Sequence, residues 1–245
     1  MTVVKICGIR DEETASQTAA ARADMIGMVF AESRRQVKPS ECLAIVSALQ
    51  DRRRHGGPAI LDGPRPGEVS PRTWFRAWAE AIADAVTRFR PLTVGVFADQ
   101  TAAEVNDIAD AAGLDLVQLS GGETIDFATE IERPVILVRH VSPGATEDHV
   151  LKDIRPGPAA VMLDTATRSA RGGSGISFDW RVAAAAGARL PVILAGGLDP
   201  TTVASAIGQA HPWAVDVSSG VETKGRKDIN KIRAFIGAAK GAVRG

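Results

Sequence analysis

Cysteine, histidine and net charge are all scarce in this chain, and each shortage closes off a class of protein. Two cysteines in 245 residues, Cys7 and Cys42, cannot staple a disulfide scaffold and point to a reducing cytoplasm. The four histidines, His55, His140, His149 and His211, are scattered, so none shares the spacing of a metal-ligand cluster. Lys plus Arg and Asp plus Glu are equal at 29 each, whereas a nucleic-acid or membrane-surface protein normally carries a basic excess. No apolar run approaches the ~20 residues of a membrane span. The start of the chain runs almost directly into a strand pattern that contains Lys5, which leaves no signal-peptide h-region. The expectation is a soluble cytoplasmic globular protein without nucleic-acid or membrane partners. Its hydrophobic content of 45% supports a packed core.

What is abundant is alternation. Short β-branched runs alternate with alanine-rich helical patterns along almost the whole chain. The strand candidates are Val3–Cys7, Asp24–Phe30, Leu92–Phe97, Asp115–Leu119, Pro134–Arg139, Ala159–Asp164, Pro191–Ala195 and Trp213–Val217. Helical patterns fall at Asp11–Ala23, Thr101–Ala112, Phe178–Ala186, Thr201–Ala210 and Asp228–Lys240. The strands are nearly continuous apolar runs, as buried parallel strands are. Eight of them with intervening helices predict an α/β fold, either a doubly wound sheet or a closed (β/α)8 TIM barrel. Chemically loaded residues follow many strands instead of clustering at one switch point, which favours the barrel. The length also matches the ~250 residues typical of that fold. The expected domain organisation is a single barrel over 1–245 with an insertion at 51–90.

That insertion breaks the rhythm. Asp51–Val69 is rich in Gly, Pro and Arg and reads as an exposed loop. Beyond it Ser70 can cap a helix and Pro71 suits its first turn. A stripe of Trp74, Phe75, Trp78, Ile82, Ala85, Val86 and Phe89 then follows at the spacing of one helical face. The stripe is expected either to cover the barrel or to form a homodimer contact. From Asp51 to Arg90 there are eight Arg against five acids, an excess small enough for a solvated face.

The C-terminal ends of barrel strands are where active sites form. Strands seven and eight empty into small-residue clusters, Gly196-Gly197 and Ser218-Ser219-Gly220. Unpaired backbone N–H groups at such a rim suit a phosphate dianion. Strand one ends at Cys7 followed by Gly8, and strand six ends at Asp164, with the Gly-rich stretch Arg171–Gly175 beyond it. A thiolate and a carboxylic acid facing one mouth form a base–acid pair able to move a proton between carbons. A base of this kind must be partly ionised near neutrality, so the Cys7 thiol is expected to titrate below the free value of ~8.5. After strand two, Arg34 and Arg35 place a guanidinium near the rim, where it can hold a carboxylate bidentately. Cys42 sits in an amphipathic helix and reads as core.

Taken together, KICGI (5–9), GMVFAESRRQV (27–37), VGVF (94–97), VQLSGGE (117–123), LDTATRSARGGSGISFDW (163–180), LAGGL (194–198) and DVSSGVETKGRKD (216–228) resemble the phosphoribosylanthranilate isomerase family. The resemblance spans the chain apart from the region near 51–90. It implies an Amadori rearrangement without metal or cofactor, because the imine nitrogen serves as the electron sink. By the same resemblance Asp164 is the acid, Cys7 the base and Arg35 the partner of the anthranilate carboxylate. The phosphate would lie near Gly173, Gly196, Gly197, Ser218, Ser219 and Gly220, with Asp216 also among the substrate-binding positions.

The chain departs from the family pattern in places. Arg34 and Gln36 flank Arg35 where the family has proline and an aromatic residue. Ser120 replaces a histidine, Ser174 a threonine, and Lys224 stands where proline is common. The rival readings are the histidine-pathway isomerase of a related bis-phosphorylated substrate, a dual-substrate isomerase, and a non-catalytic phosphosugar-binding barrel. The histidine-pathway family carries aspartate where this chain has Cys7. A pentose-phosphate epimerase would want metal-ligand histidines.

Overall fold

Every strand of the barrel is apolar enough to be buried on both faces, and all eight close on one another. The computed structural model describes residues 2–50, 58–59, 61–64, 69–165 and 179–242. Gly173 and its neighbours, and most of the Gly/Pro/Arg-rich segment, lie outside the described residues. The strands are β1 (Val3–Cys7), β2 (Met25–Val29), β3 (Leu92–Phe97), β4 (Leu116–Leu119), β5 (Val135–Val141), β6 (Ala160–Thr165), β7 (Val192–Leu194) and β8 (Ala214–Val217). They pair in chain order, all parallel, and β8 returns to β1. This is the closed TIM barrel that the alternation predicts.

Around it lie α1 (Glu12–Ala20), α2 (Pro39–Gln50), α3 (Pro71–Phe89), α4 (Ala102–Ala112), α5 (Ile125–Thr129), α6 (Glu147–Val150), α7 (Trp180–Arg189), α8 (Val203–Ala210) and α9 (Ile229–Gly241). A short hairpin, β9 (Glu222–Thr223) with β10 (Arg226–Lys227), follows β8. Local chemistry sets many helix starts. Thr101 and Glu104 form a reciprocal capping box on α4, and Asp11, Ser70 and Asp228 cap α1, α3 and α9 through their side chains.

Alternate residues of each strand point inward. At the N-terminal end the interior is apolar, packed from Val3, Met25, Leu92, Leu116, Ile136, Ala160, Ile193 and Ala214. Two residues further along, the same faces turn polar: β1 runs Val3, Lys5, Cys7, and β8 runs Ala214, Asp216, then Ser218 just past its end. On β6 the series is Ala160, Met162, Asp164, and on β5 it is Ile136, Val138, His140. These four strands thus carry core at one end and chemistry at the other, while β2 and β3 stay apolar as far as Val29 and Val96.

The insertion closes the apolar end. Ile82, Ala85 and Val86 of α3, with Ala59 from the segment before it, join the interior cluster beneath the strand starts. Trp74 Nε1 donates to Pro158 O at 2.7 Å, and Asp115 at the foot of β4 accepts from Ala59 N and Thr93 N. The apolar stripe is therefore buried against its own barrel. Among the described residues α3 turns Arg72, Arg76, Glu80, Asp84, Thr87 and Arg88 to solvent, so of the two expectations for the stripe it is the covering of the barrel that the packing bears out. The segment before it is also less exposed than its composition suggests, since Ala59 is buried and Gly63 lies flat against the Trp78 ring.

Candidate active site

The polar end of the barrel brings Cys7, Asp164, Arg35, Asp216 and the two small-residue clusters into one mouth. Cys7 ends β1 and packs with Val29 and Val96 of the next two strands. Asp164 lies on β6, three strands away around the ring through β8 and β7. Its Oδ1 accepts from Thr165 N at 2.8 Å. Burial and the nearby Asp216 carboxylate push the Asp164 carboxyl up to about 6, against the opposing pull of His140, the Thr165 N–H and Lys5. A neutral carboxyl is thereby populated near neutral pH, as a general acid requires.

Beneath Cys7 is a residue that the sequence reading passed over. Lys5 is fully buried, and its Nζ pairs with Asp216 Oδ1 at 2.8 Å across the β1–β8 ladder. Burial alone would lower the ammonium's pKa, but Asp216 and the Cys7 sulfur outweigh it and raise it, so Lys5 stays charged. A Cβ placed on Gly27 of β2 would lie 3.1 Å from Lys5 Nζ and 3.2 Å from Cys7 Sγ. The glycine thus leaves one shared space for ammonium and thiol. Asp216 is engaged here as the counter-ion of Lys5.

The thiol departs from expectation. Burial pushes Cys7 above the ordinary thiol value, aided by Asp216, and the attraction of Lys5 and Lys227 only partly offsets it. In the unliganded chain the resting form is therefore the thiol.

Arg35 is buried in the wall while Arg34 stands exposed at the edge. Arg35 is already held: its Nε and Nη2 donate to Glu222 Oε1 and Oε2 at 2.6 and 3.1 Å. Arg34 Nη2 and Lys227 Nζ reach the same carboxylate at 2.8 and 3.0 Å. Burial alone would raise Glu222, but the Arg35 and Lys227 contacts hold it at about 2. Three cations against one carboxylate leave a positive wall, with the Arg35 fork fixed in one orientation. Gln36, where the family pattern has an aromatic, donates to Phe30 O at 2.9 Å and braces the loop.

The two small-residue clusters form one surface. Gly196 and Gly197 have φ of +84 and +68, the left-handed region where glycine is unstrained. A Cβ on Gly196 would lie 2.9 Å from Asp164 Oδ1, which ties this turn to the acid. A Cβ on Gly220 would lie 2.0 Å from Leu198 O, so the loops after β7 and β8 are in backbone contact. Ser219–Val221 forms a 3-10 turn whose first N–H groups lack helical partners. Lys227 Nζ donates to Ser218 O at 2.8 Å from behind.

A family model described as N-(5'-phosphoribosyl)anthranilate (PRA) isomerase matches residues 57–238. The chain belongs to this family. An N-(5'-phosphoribosyl)anthranilate isomerase of Dehalococcoides mccartyi is 39% identical over 248 residues, covering 99% of this chain and 97% of the relative. One from Roseiflexus castenholzii is 35% identical over 243 residues, covering 99% and 100%. The crystal structure of the Thermotoga maritima phosphoribosyl anthranilate isomerase superposes with a TM-score of 0.73 at 30% identity, covering 98% of this chain and all of that one. A phosphoribosyl anthranilate isomerase crystal structure with reduced 1-(o-carboxyphenylamino)-1-deoxyribulose 5-phosphate bound gives 0.71 at 30% identity, with coverage of 98% and 100%. Within this isomerase family the mouth described above is the candidate active site, and Lys5, Glu222, Lys227 and His140 are the members that sequence reading did not single out. Among the described residues no helix is long and apolar enough to cross a membrane.

Proposed function

We propose that Cys7 and Asp164 are the base–acid pair with which this isomerase converts N-(5-phosphoribosyl)anthranilate to 1-(2-carboxyphenylamino)-1-deoxyribulose 5-phosphate in tryptophan biosynthesis. The observation that carries this reading is the Asp164 carboxyl, raised to about 6 and facing Cys7 across one mouth. Asp164 donates its proton to the ribose ring oxygen, the C1′–O bond breaks, and the electron pair on nitrogen forms a cationic imine. That cation acidifies the C2′–H and also favours the thiolate, so the resting thiol first gives up its proton to solvent and then stands as the base. The sulfur takes the C2′ proton, the C–H pair moves toward nitrogen, and the resulting enolamine tautomerises to the ketone. The substrate carboxylate meets the positive wall at Arg35. The phosphate sits against Gly196, Gly197 and Ser218–Gly220, with Gly173 completing the cradle by resemblance.

The test is the fall of anthranilate-type fluorescence when the purified chain meets substrate generated in situ. Wild type is expected to turn over, while Cys7→Ala and Asp164→Asn each lose about 100-fold or more in kcat, the usual contribution of a proton-transfer group. Turnover retained by either variant would remove that residue from the pair. No turnover by wild type would direct attention to the histidine-pathway substrate.

A further inference from the structure

One titratable side chain in the mouth has no part in the mechanism above. β5 runs two residues beyond the expected end at Arg139, and this places His140 on the barrel wall. It is the register partner of Asp164 on β6. Val138 and Met162, two residues before each, lie in the interior cluster, so His140 and Asp164 point the same way, side by side. The imidazole is exposed at the rim, and its Nε2 lies 2.9 Å from Ser120 O. A carbonyl can only accept, so Nε2 carries the hydrogen and Nδ1 is left as the site that gains or loses a proton.

Asp164 has a supply problem that this neighbour solves. Once it has protonated the ring oxygen it is a carboxylate beneath bound substrate. The inward groups facing the pair are few among the described residues. β1 supplies Lys5 and β8 supplies Asp216, already paired with each other. β4 and the residue after it offer Gln118 and Ser120, which are uncharged, and β7 is followed by Ala195, while β2 and β3 present Val29 and Val96. His140 is thus the one described side chain that both borders Asp164 and reaches solvent with a proton to give.

We infer that His140 is a positioning residue for proton traffic, reloading Asp164 from bulk water between turnovers. In this step the Nδ1–H bond of the imidazolium breaks, the carboxylate oxygen gains the proton, and the neutral ring is reprotonated by water. The inference rests on the reading of Asp164 as the acid. The charge on His140 also bears on Asp164, lowering its pKa.

Steady-state turnover of the full chain tests it, with His140→Ala, His140→Gln and Asp164→Asn beside wild type. Gln keeps an N–H for Ser120 O but holds no exchangeable charge. Both His140 variants are expected to lose about tenfold in kcat at unchanged KM, below the full effect of a direct proton donor, and added imidazole should restore the Ala variant in proportion to its concentration. The alkaline limb of kcat/KM, where Asp164 loses its proton, should also move to higher pH in both, because the His140 charge that lowers the Asp164 pKa is gone. Wild-type kcat in the Gln variant, a change in KM alone, or a loss that imidazole does not relieve would each overturn the relay. Activity retained by Asp164→Asn would instead remove the acid itself, a distinct failure.

Discussion

Lys5 shows how a buried charge can serve a reaction it never touches. It sits under Cys7, opposite Asp216, and supplies the attraction that keeps a buried thiol within reach of ionisation. Replacing Lys5 with Met should raise the Cys7 pKa further, read from the thiolate ultraviolet absorbance against pH, and should cost about 3–5 kcal/mol by leaving Asp216 buried without a partner. The double variant Lys5→Met with Asp216→Asn should recover much of that stability and none of the thiolate. If the thiol titrates as in wild type, Lys5 is only part of the core. Cys7, Asp164 and the glycine clusters were legible in the sequence because each ends an apolar run at a rim. Lys5 with Asp216 and Arg35 with Glu222 were not, since they are 211 and 187 residues apart and only barrel closure makes them neighbours. His140 was hidden by a strand end placed two residues too early.

The strands were the most readable elements, because a parallel strand buried on both faces leaves little room for another reading. Their limits shifted mainly where a polar connector such as Asp24 or Asp115 begins the run without joining it. The short helices α5 and α6 escaped because five and four residues carry no usable period. For α3 the periodicity gave the buried face but not what covers it. Its position at the apolar end implies a separation of roles. Ile82→Ala should destabilise by about 2–5 kcal/mol, measured by urea unfolding, and leave kcat and KM near wild type. A loss of kcat at a temperature where the variant is fully folded would show that the two ends of the barrel communicate.

Across the whole molecule, packing gathers at one end of the barrel and unfavourable electrostatics at the other. The clearest instance is Asp164, whose raised pKa is a debit against folding. Below the ordinary carboxyl value of 3.8 the group is neutral folded or unfolded and contributes nothing. As pH rises from 3.8 through about 6 the unfolded chain ionises freely while the folded one resists, and stability falls by up to about 3 kcal/mol at roughly 1.4 per pKa unit. Glu222 works in the opposite sense. Held at about 2 against an ordinary 4.5, it contributes stability present above 4.5 and lost as pH falls toward 2. Asp164→Asn should therefore abolish turnover yet raise the unfolding free energy at pH 7, with the gain vanishing by about pH 4, while Glu222→Gln should lose stability at pH 7 and converge with wild type in acid. Denaturant unfolding of the three proteins at several pH values reads both effects. A functional acid held at the expense of the fold requires the Asp164→Asn curve to lie above wild type at neutrality; a curve below it would place Asp164 among the groups that hold the barrel together.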